Sequence, residues 1–135
     1  MTYLLDTNIC IYALKRRSTE VLAQLRAVGP DAVALSVITV LELRQGAERS
    51  SKRKQAHERL DFFLSPMTVL PFQEEDARIA ARIRMYLSGK GEKIGDLDSL
   101  IASQALARDL ILVTNNVREF ERVPGLEVEN WVSVA

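Results

Sequence analysis

With 135 residues, 47% of them apolar, the chain can bury one core but is too short for two ordinary domains, so a single domain spanning it is expected. Its 18 basic and 18 acidic side chains cancel, which excludes the general cationic coat on which nonspecific phosphate binding rests. The single cysteine, Cys10, excludes an internal disulfide framework and a thiolate zinc cluster and fits a reducing, cytoplasmic setting. No apolar run approaches the roughly 18 residues of a membrane span, so a soluble chain without a leader is expected.

The first apolar segment, Tyr3 to Leu5, is β-prone and runs into Asp6-Thr7-Asn8, residues that favour turns and helix caps. A helix is predicted from Ile9 to Leu14, and Ser18 caps a second that places Val21, Leu22, Leu25 and Val28 on one face before Gly29-Pro30 stops it. Ala32 to Leu35 reads as a buried strand, followed by a helix opening at Ser36 or Thr39 and carrying Glu42 and Gly46. A polar helix over about Ser51 to Leu64 precedes a third strand, Met67 to Leu70. The acids Glu74, Glu75 and Asp76 then open a helix that Gly89 and Gly91 close. A further helix is predicted from Asp96, as its N-cap, to Arg108, and a strand from Leu110 to Val113 ends in Thr114-Asn115-Asn116. Short apolar strands separated by helices indicate a parallel sheet covered on both faces, whose sites form beyond the carboxyl ends of the strands.

Asp6 and the segment Thr114 to Asn116 therefore share one edge of the sheet. Taken singly, Asp6 and Asp96 have capping explanations, and Asp98 suits a first helical turn. Glu42 lies in the run Val37-Ile38-Thr39-Val40-Leu41-Glu42-Leu43, apolar around nearly the whole helix, where a carboxylate requires a cation or several donors. Carboxylates gathered at one sheet edge repel one another, and a hard divalent cation such as Mg²⁺ relieves that repulsion. His57, alone in a polar helix, reads as a surface residue, and Cys10 as a small core residue.

Four motifs, Leu4-Leu5-Asp6-Thr7-Asn8-Ile9, Ser36 through Glu42-Leu43 to Gly46, Ile94-Gly95-Asp96-Leu97-Asp98, and Leu112-Val113-Thr114-Asn115-Asn116 leading to Glu119-Phe120, stand in this order. In this the chain resembles the PIN-domain ribonucleases, specifically the VapC toxins of bacterial toxin-antitoxin systems, over almost its entire length. The resemblance implies an α/β, three-layer PIN-like fold with a central, mostly parallel sheet flanked by helices. It also implies metal-dependent endoribonuclease activity with Mg²⁺ or Mn²⁺, an RNA substrate such as tRNA, homodimerisation, and a hetero-oligomer with a VapB-like antitoxin. Matched residue by residue, Asp6, Glu42 and Asp98 take the places of the metal-holding, catalytic acids. Asn116 stands where many relatives have Asp, so Asp96 or Glu119 is needed if a fourth carboxylate completes the site. Asn8 and Thr114 are placed to orient the ligands. Arg44, Arg49, Lys52 and Arg53 are the candidate RNA-binding residues, with Lys54, Arg59 and the Lys15-Arg16-Arg17 cluster as further cations.

Two other readings compete. A phosphoryl-transfer protein also places an Asp after its first strand, but Asp6-Thr7-Asn8 lacks a second carboxylate two residues on and no Gly-rich phosphate loop is present. A catalytically inactive RNA- or protein-binding module of the same architecture has no need of all three acids.

Overall fold

The computed structural model describes residues 1–132. Its elements, in chain order, are β1 (Tyr3–Leu5), α1 (Thr7–Leu14), α2 (Thr19–Val28), β2 (Val33–Ser36), α3 (Val37–Arg49), α4 (Arg53–Leu64), β3 (Thr68–Leu70), α5 (Glu74–Gly89), α6 (Asp96–Ala107), β4 (Ile111–Val113), α7 (Val117–Phe120) and β5 (Val128–Glu129). The five strands form one sheet in the order β3-β2-β1-β4-β5, and every pairing is parallel.

Alternation along the strands sends successive side chains to opposite faces and so divides the core in two. Leu4, Ala34 and Leu112 face a cluster with Ile83, Leu87, Ile101, Ala105 and Phe120 from α5, α6 and α7. Leu5, Leu35 and Val113 face the other way, onto Ile9, Val21, Leu43 and Leu60 from α1 to α4. Each of the larger of these side chains, taken wholly from water, contributes about 1.5–3 kcal/mol, which is why helices cover both faces. The result is the expected three-layer arrangement, wholly rather than mostly parallel.

Local chemistry sets the helix ends. Ser36 caps α3 by accepting from the Ile38 N–H at 2.9 Å, and Ser18 caps α2 through the Val21 N–H at 3.2 Å. Gly29 ends α2 at a φ of 78°, a conformation costly for a residue with a Cβ.

The observed elements correct several expected boundaries. Helix α1 begins at Thr7 rather than Ile9, because Asp6 itself caps it by accepting from the Thr7 N–H. Gly95, not Asp96, is the N-cap of α6, and Asp96 is the first helical residue. The surroundings of Glu42 are also less apolar than expected: Val37 and Leu41 on the same helix are 38% and 55% exposed, and Glu42 is half-buried. The short elements α7 and β5 were not anticipated, since a single turn and a two-residue strand carry too little periodicity to read. No helix among the described residues is long and apolar enough to cross a membrane.

Candidate active site

The chain steps from β1 outward to β2 on one side and returns to β4 on the other, so the strand order reverses between β1 and β4. Such a switch point opens a crevice at the carboxyl ends of the strands, because the flanking helices leave in opposite directions. Leu5 is registered with Val113, and Asp6 and Thr114 are the next residues on the two strands.

Asp6 is 4% exposed and held at both oxygens. Oδ1 accepts from the Thr7 N–H at 2.8 Å, and Oδ2 accepts from the Thr114 hydroxyl, also at 2.8 Å. Burial raises its carboxyl above the ordinary value. The bonds from Thr114 and Thr7 oppose that rise, while the negative charges of Glu42 and Glu119 add to it.

Glu42 comes from α3, where its Oε1 accepts from the Thr7 hydroxyl at 2.6 Å; that hydroxyl also lies 3.2 Å from Thr39 Oγ1. Thr7 therefore ties the first turn of α1 to α3 while its N–H holds Asp6. Asp98 sits in the first turn of α6. Burial pushes its carboxyl up to about 7, and the charges of Glu119, Asp6 and Glu42, together with a hydrogen bond to Glu119, add to the rise.

Glu119 extends from α7 and is fixed at both oxygens. Oε1 accepts from the Gly95 N–H at 2.8 Å, and Oε2 accepts from the Asn116 side-chain amide at 2.5 Å. Gly95 is required by close approach: a Cβ there would stand 2.9 Å from Asp98 Oδ2.

Of the residues named from the sequence, Asp6, Asn8, Glu42, Asp98, Asn116 and Arg49 line one cleft of about 470 Å³. Thr114 lies beneath it, wholly buried against Asp6. Asp96 is exposed and does not line the cleft; its backbone carbonyl instead accepts from Arg84 and Ser99. Arg44 turns away to pair with Asp61 at 2.5 Å and His57 at 3.1 Å, and Arg53 stands 3.8 Å from Glu48. Lys52 is exposed outside the cleft. His57 is partly covered rather than free, since Nε2 also lies 2.6 Å from Glu48. Burial pushes the Cys10 thiol up, which suits an unreactive core residue.

Lys15, from the basic cluster, and the motif residues Thr7 and Gly46 also line the cleft, together with Ile11 and Gln45, which the sequence reading does not name. Helical spacing carries the missing signal: Asn8, Ile11 and Lys15 on α1, and Glu42, Gln45 and Arg49 on α3, recur at three and four residues and so share a face.

The donors are oxygens from carboxylates and an amide, the set that suits a hard cation keeping part of its water shell. Among the described residues no three His, Cys, Asp or Glu side chains stand close enough together to hold a metal ion by themselves, so Asp6, Glu42 and Asp98 share a cleft without forming a closed cage.

A parallel α/β sheet with several carboxylates converging at its switch point is the arrangement of a hydrolase that works on phosphate esters. The PIN domain family matches residues 3–126, and the chain belongs to it. A VapC2 ribonuclease from Haemophilus influenzae is 43% identical over 98% of this chain and 99% of its own. The tRNA(fMet)-specific endonuclease VapC of Salmonella typhimurium is 35% identical over 97% and 98%. Among solved structures, VapBC2 from Rickettsia felis bound to a DNA fragment from their promoter superposes with a TM-score of 0.90, at 38% identity, over 97% of this chain and 99% of that one.

Proposed function

We propose that the chain is a metal-dependent endoribonuclease of the VapC kind, acting as the toxin of a toxin-antitoxin pair. Structured RNA, with tRNA foremost, is its substrate, and a VapB-like protein is its partner. The observation that carries this reading is the convergence of Asp6, Glu42 and Asp98 on one cleft with Glu119 beside Asp98, where burial and the neighbouring negative charges raise the carboxyls of Asp6 and Asp98. Such crowding is unfavourable without a cation and becomes favourable with one.

Asp6, Glu42 and Asp98 would hold Mg²⁺ or Mn²⁺; neither Asp96 nor Glu119 lines the cleft, and Glu119 is the fourth carboxylate because it stands beside Asp98 and its charge acts on it. The ion supplies Lewis acidity and an acidified water for attack on phosphorus. The chain's own contribution is to position these groups. Thr114 and the Thr7 N–H fix the two oxygens of Asp6, the Thr7 hydroxyl orients Glu42, and the Asn116 amide and Gly95 N–H orient Glu119. Asn116, itself uncharged, serves through Glu119, whose Oε2 accepts from its side-chain amide.

Asp6→Ala and Asp98→Ala test the assignment. Each should lower RNA cleavage by orders of magnitude. Each should also abolish the rise in melting temperature that millimolar Mg²⁺ or Mn²⁺ gives the parent, since only a folded-state ligand stabilises by mass action. Variants that stay folded and cut RNA at near-parental rates overturn it.

A further inference from the structure

Lys15 and Arg49 line the same cleft as Asp6, Glu42 and Asp98. Both also line the adjoining groove of about 430 Å³ between α1, α3 and α4, so they stand where that groove opens into the acidic cleft. Neither forms an ion pair among the described residues. The neighbouring cations are different: Arg44 is engaged by Asp61 and His57, and Arg53 stands nearest Glu48.

Two exposed cations and three carboxylates thus share one small cleft without pairing. Cations placed to neutralise those acids would contact them, and the gap suits a group that meets both. A phosphodiester backbone does so, since its anionic oxygens take Lys and Arg donors while a neighbouring phosphorus faces the acids. Lys15 caps the far end of the helix that Asp6 opens, and Arg49 lies seven residues beyond Glu42, roughly 10 Å along α3. That separation assigns them to a phosphate beside the one being cut.

We propose that Lys15 and Arg49 form a two-pronged clamp on the RNA backbone next to the scissile bond, so that of the candidates Arg44, Arg49, Lys52 and Arg53 it is Arg49, joined by Lys15, that meets the RNA at the cleft. The inference rests on the ribonuclease reading for its ligand. Both residues also sit at helix C-termini, where a cation complements the macrodipole. A residue serving only that role alters stability and leaves RNA affinity alone.

The test is fluorescence anisotropy of a labelled single-stranded RNA on the full chain, in EDTA so that cleavage is silent, across a series of salt concentrations. The double variant Lys15→Ala/Arg49→Ala should weaken binding and reduce the slope of log affinity against log salt by about 1.4, since each contact to a single strand contributes about 0.7. Arg49→Lys should retain most of the slope, and Arg44→Ala and Lys52→Ala should leave it parental. Circular dichroism confirms folding of each variant. A parental slope in the folded double variant, or an equal loss in Lys52→Ala, overturns the clamp. A reduced slope in a parent background that cuts no RNA with Mg²⁺ supports the clamp and sinks the nuclease reading instead.

Discussion

The hydroxyl of Thr114 donates to Oδ2 of Asp6 across 2.8 Å, although 108 positions separate the two residues in the chain. The contact exists because β1 and β4 are parallel neighbours in register, and it holds the carboxylate that caps α1.

Thr114→Val keeps the shape of this wholly buried residue and removes its hydroxyl. Oδ2 of Asp6 then loses its donor in a buried setting, and the Asn116 N–H loses the acceptor it has at 3.0 Å. A loss of about 1.5–3 kcal/mol is expected, the range for hydrogen bonds to charged groups. Mg²⁺ should bind more weakly as well, because loss of the Thr114 donor raises the Asp6 carboxyl further and leaves its charged form less favoured. Thermal melts with and without Mg²⁺ read both effects, and a variant with parental values in both would show that the bond does no positioning.

Gly95→Ala separates function from stability. The added Cβ meets the end of a short side chain, Asp98 Oδ2 at 2.9 Å, so Asp98 swings aside and the fold is little disturbed. Because a shift of about 1 Å at a reacting group can cost about 100-fold, a large loss of cleavage is expected with a melting temperature within a few degrees of the parent. Parental cleavage by a folded variant would place Asp98 outside the reacting geometry.

The metal-free chain should become less stable as pH rises from about 4 to 7. The Asp98 carboxyl has its folded pKa raised from 3.8 to about 7, so in that window the folded state binds more protons than the unfolded one, and stability falls as the pH rises through it. Asp98→Asn should flatten this limb, and Mg²⁺ should offset it in the parent by favouring the charged form. Melting temperatures against pH in EDTA, for parent and variant, check the sign. Parallel curves would contradict it.

Acid acts in the opposite sense at Asp76, which is 1% exposed and paired with Arg108 at 2.7 Å. Burial alone raises this carboxyl, but hydrogen bonds from Arg108 and the Gln73 N–H, with the Arg108 charge, outweigh it and hold it below its ordinary value. Its stabilisation is therefore present above the usual carboxylate range and is lost as pH falls through the lowered folded value. Asp76→Asn leaves Arg108, itself 21% exposed, without its partner and should cost about 3 kcal/mol at neutral pH, with a shallower acid limb. Urea titrations at pH 7 and pH 3 measure both; an equal cost at the two pH values would remove the ion pair from the account.

The sequence carries the alternation of strands and helices openly, because periodicity and capping are local: Ser18, Ser36 and Gly29 act on backbone within four residues of themselves. It also marked Asp6 and the segment after β4 as one edge, since parallel strands all end on the same side. The resemblance named Asp6, Glu42 and Asp98, but how Asp96 and Glu119 stand to them depends on the packing of distant elements. Asp96 and Asp98 are two residues apart, a step that turns a helix by about 200°, so Asp98 enters the cleft and Asp96 faces solvent. Glu119 joins because a single turn, α7, carries it back over Gly95. The cations sorted in the same way: Arg44 and Arg49 are near neighbours on α3, but five residues of rotation turn one onto α4 and the other into the cleft, and no local pattern of charge distinguishes the two.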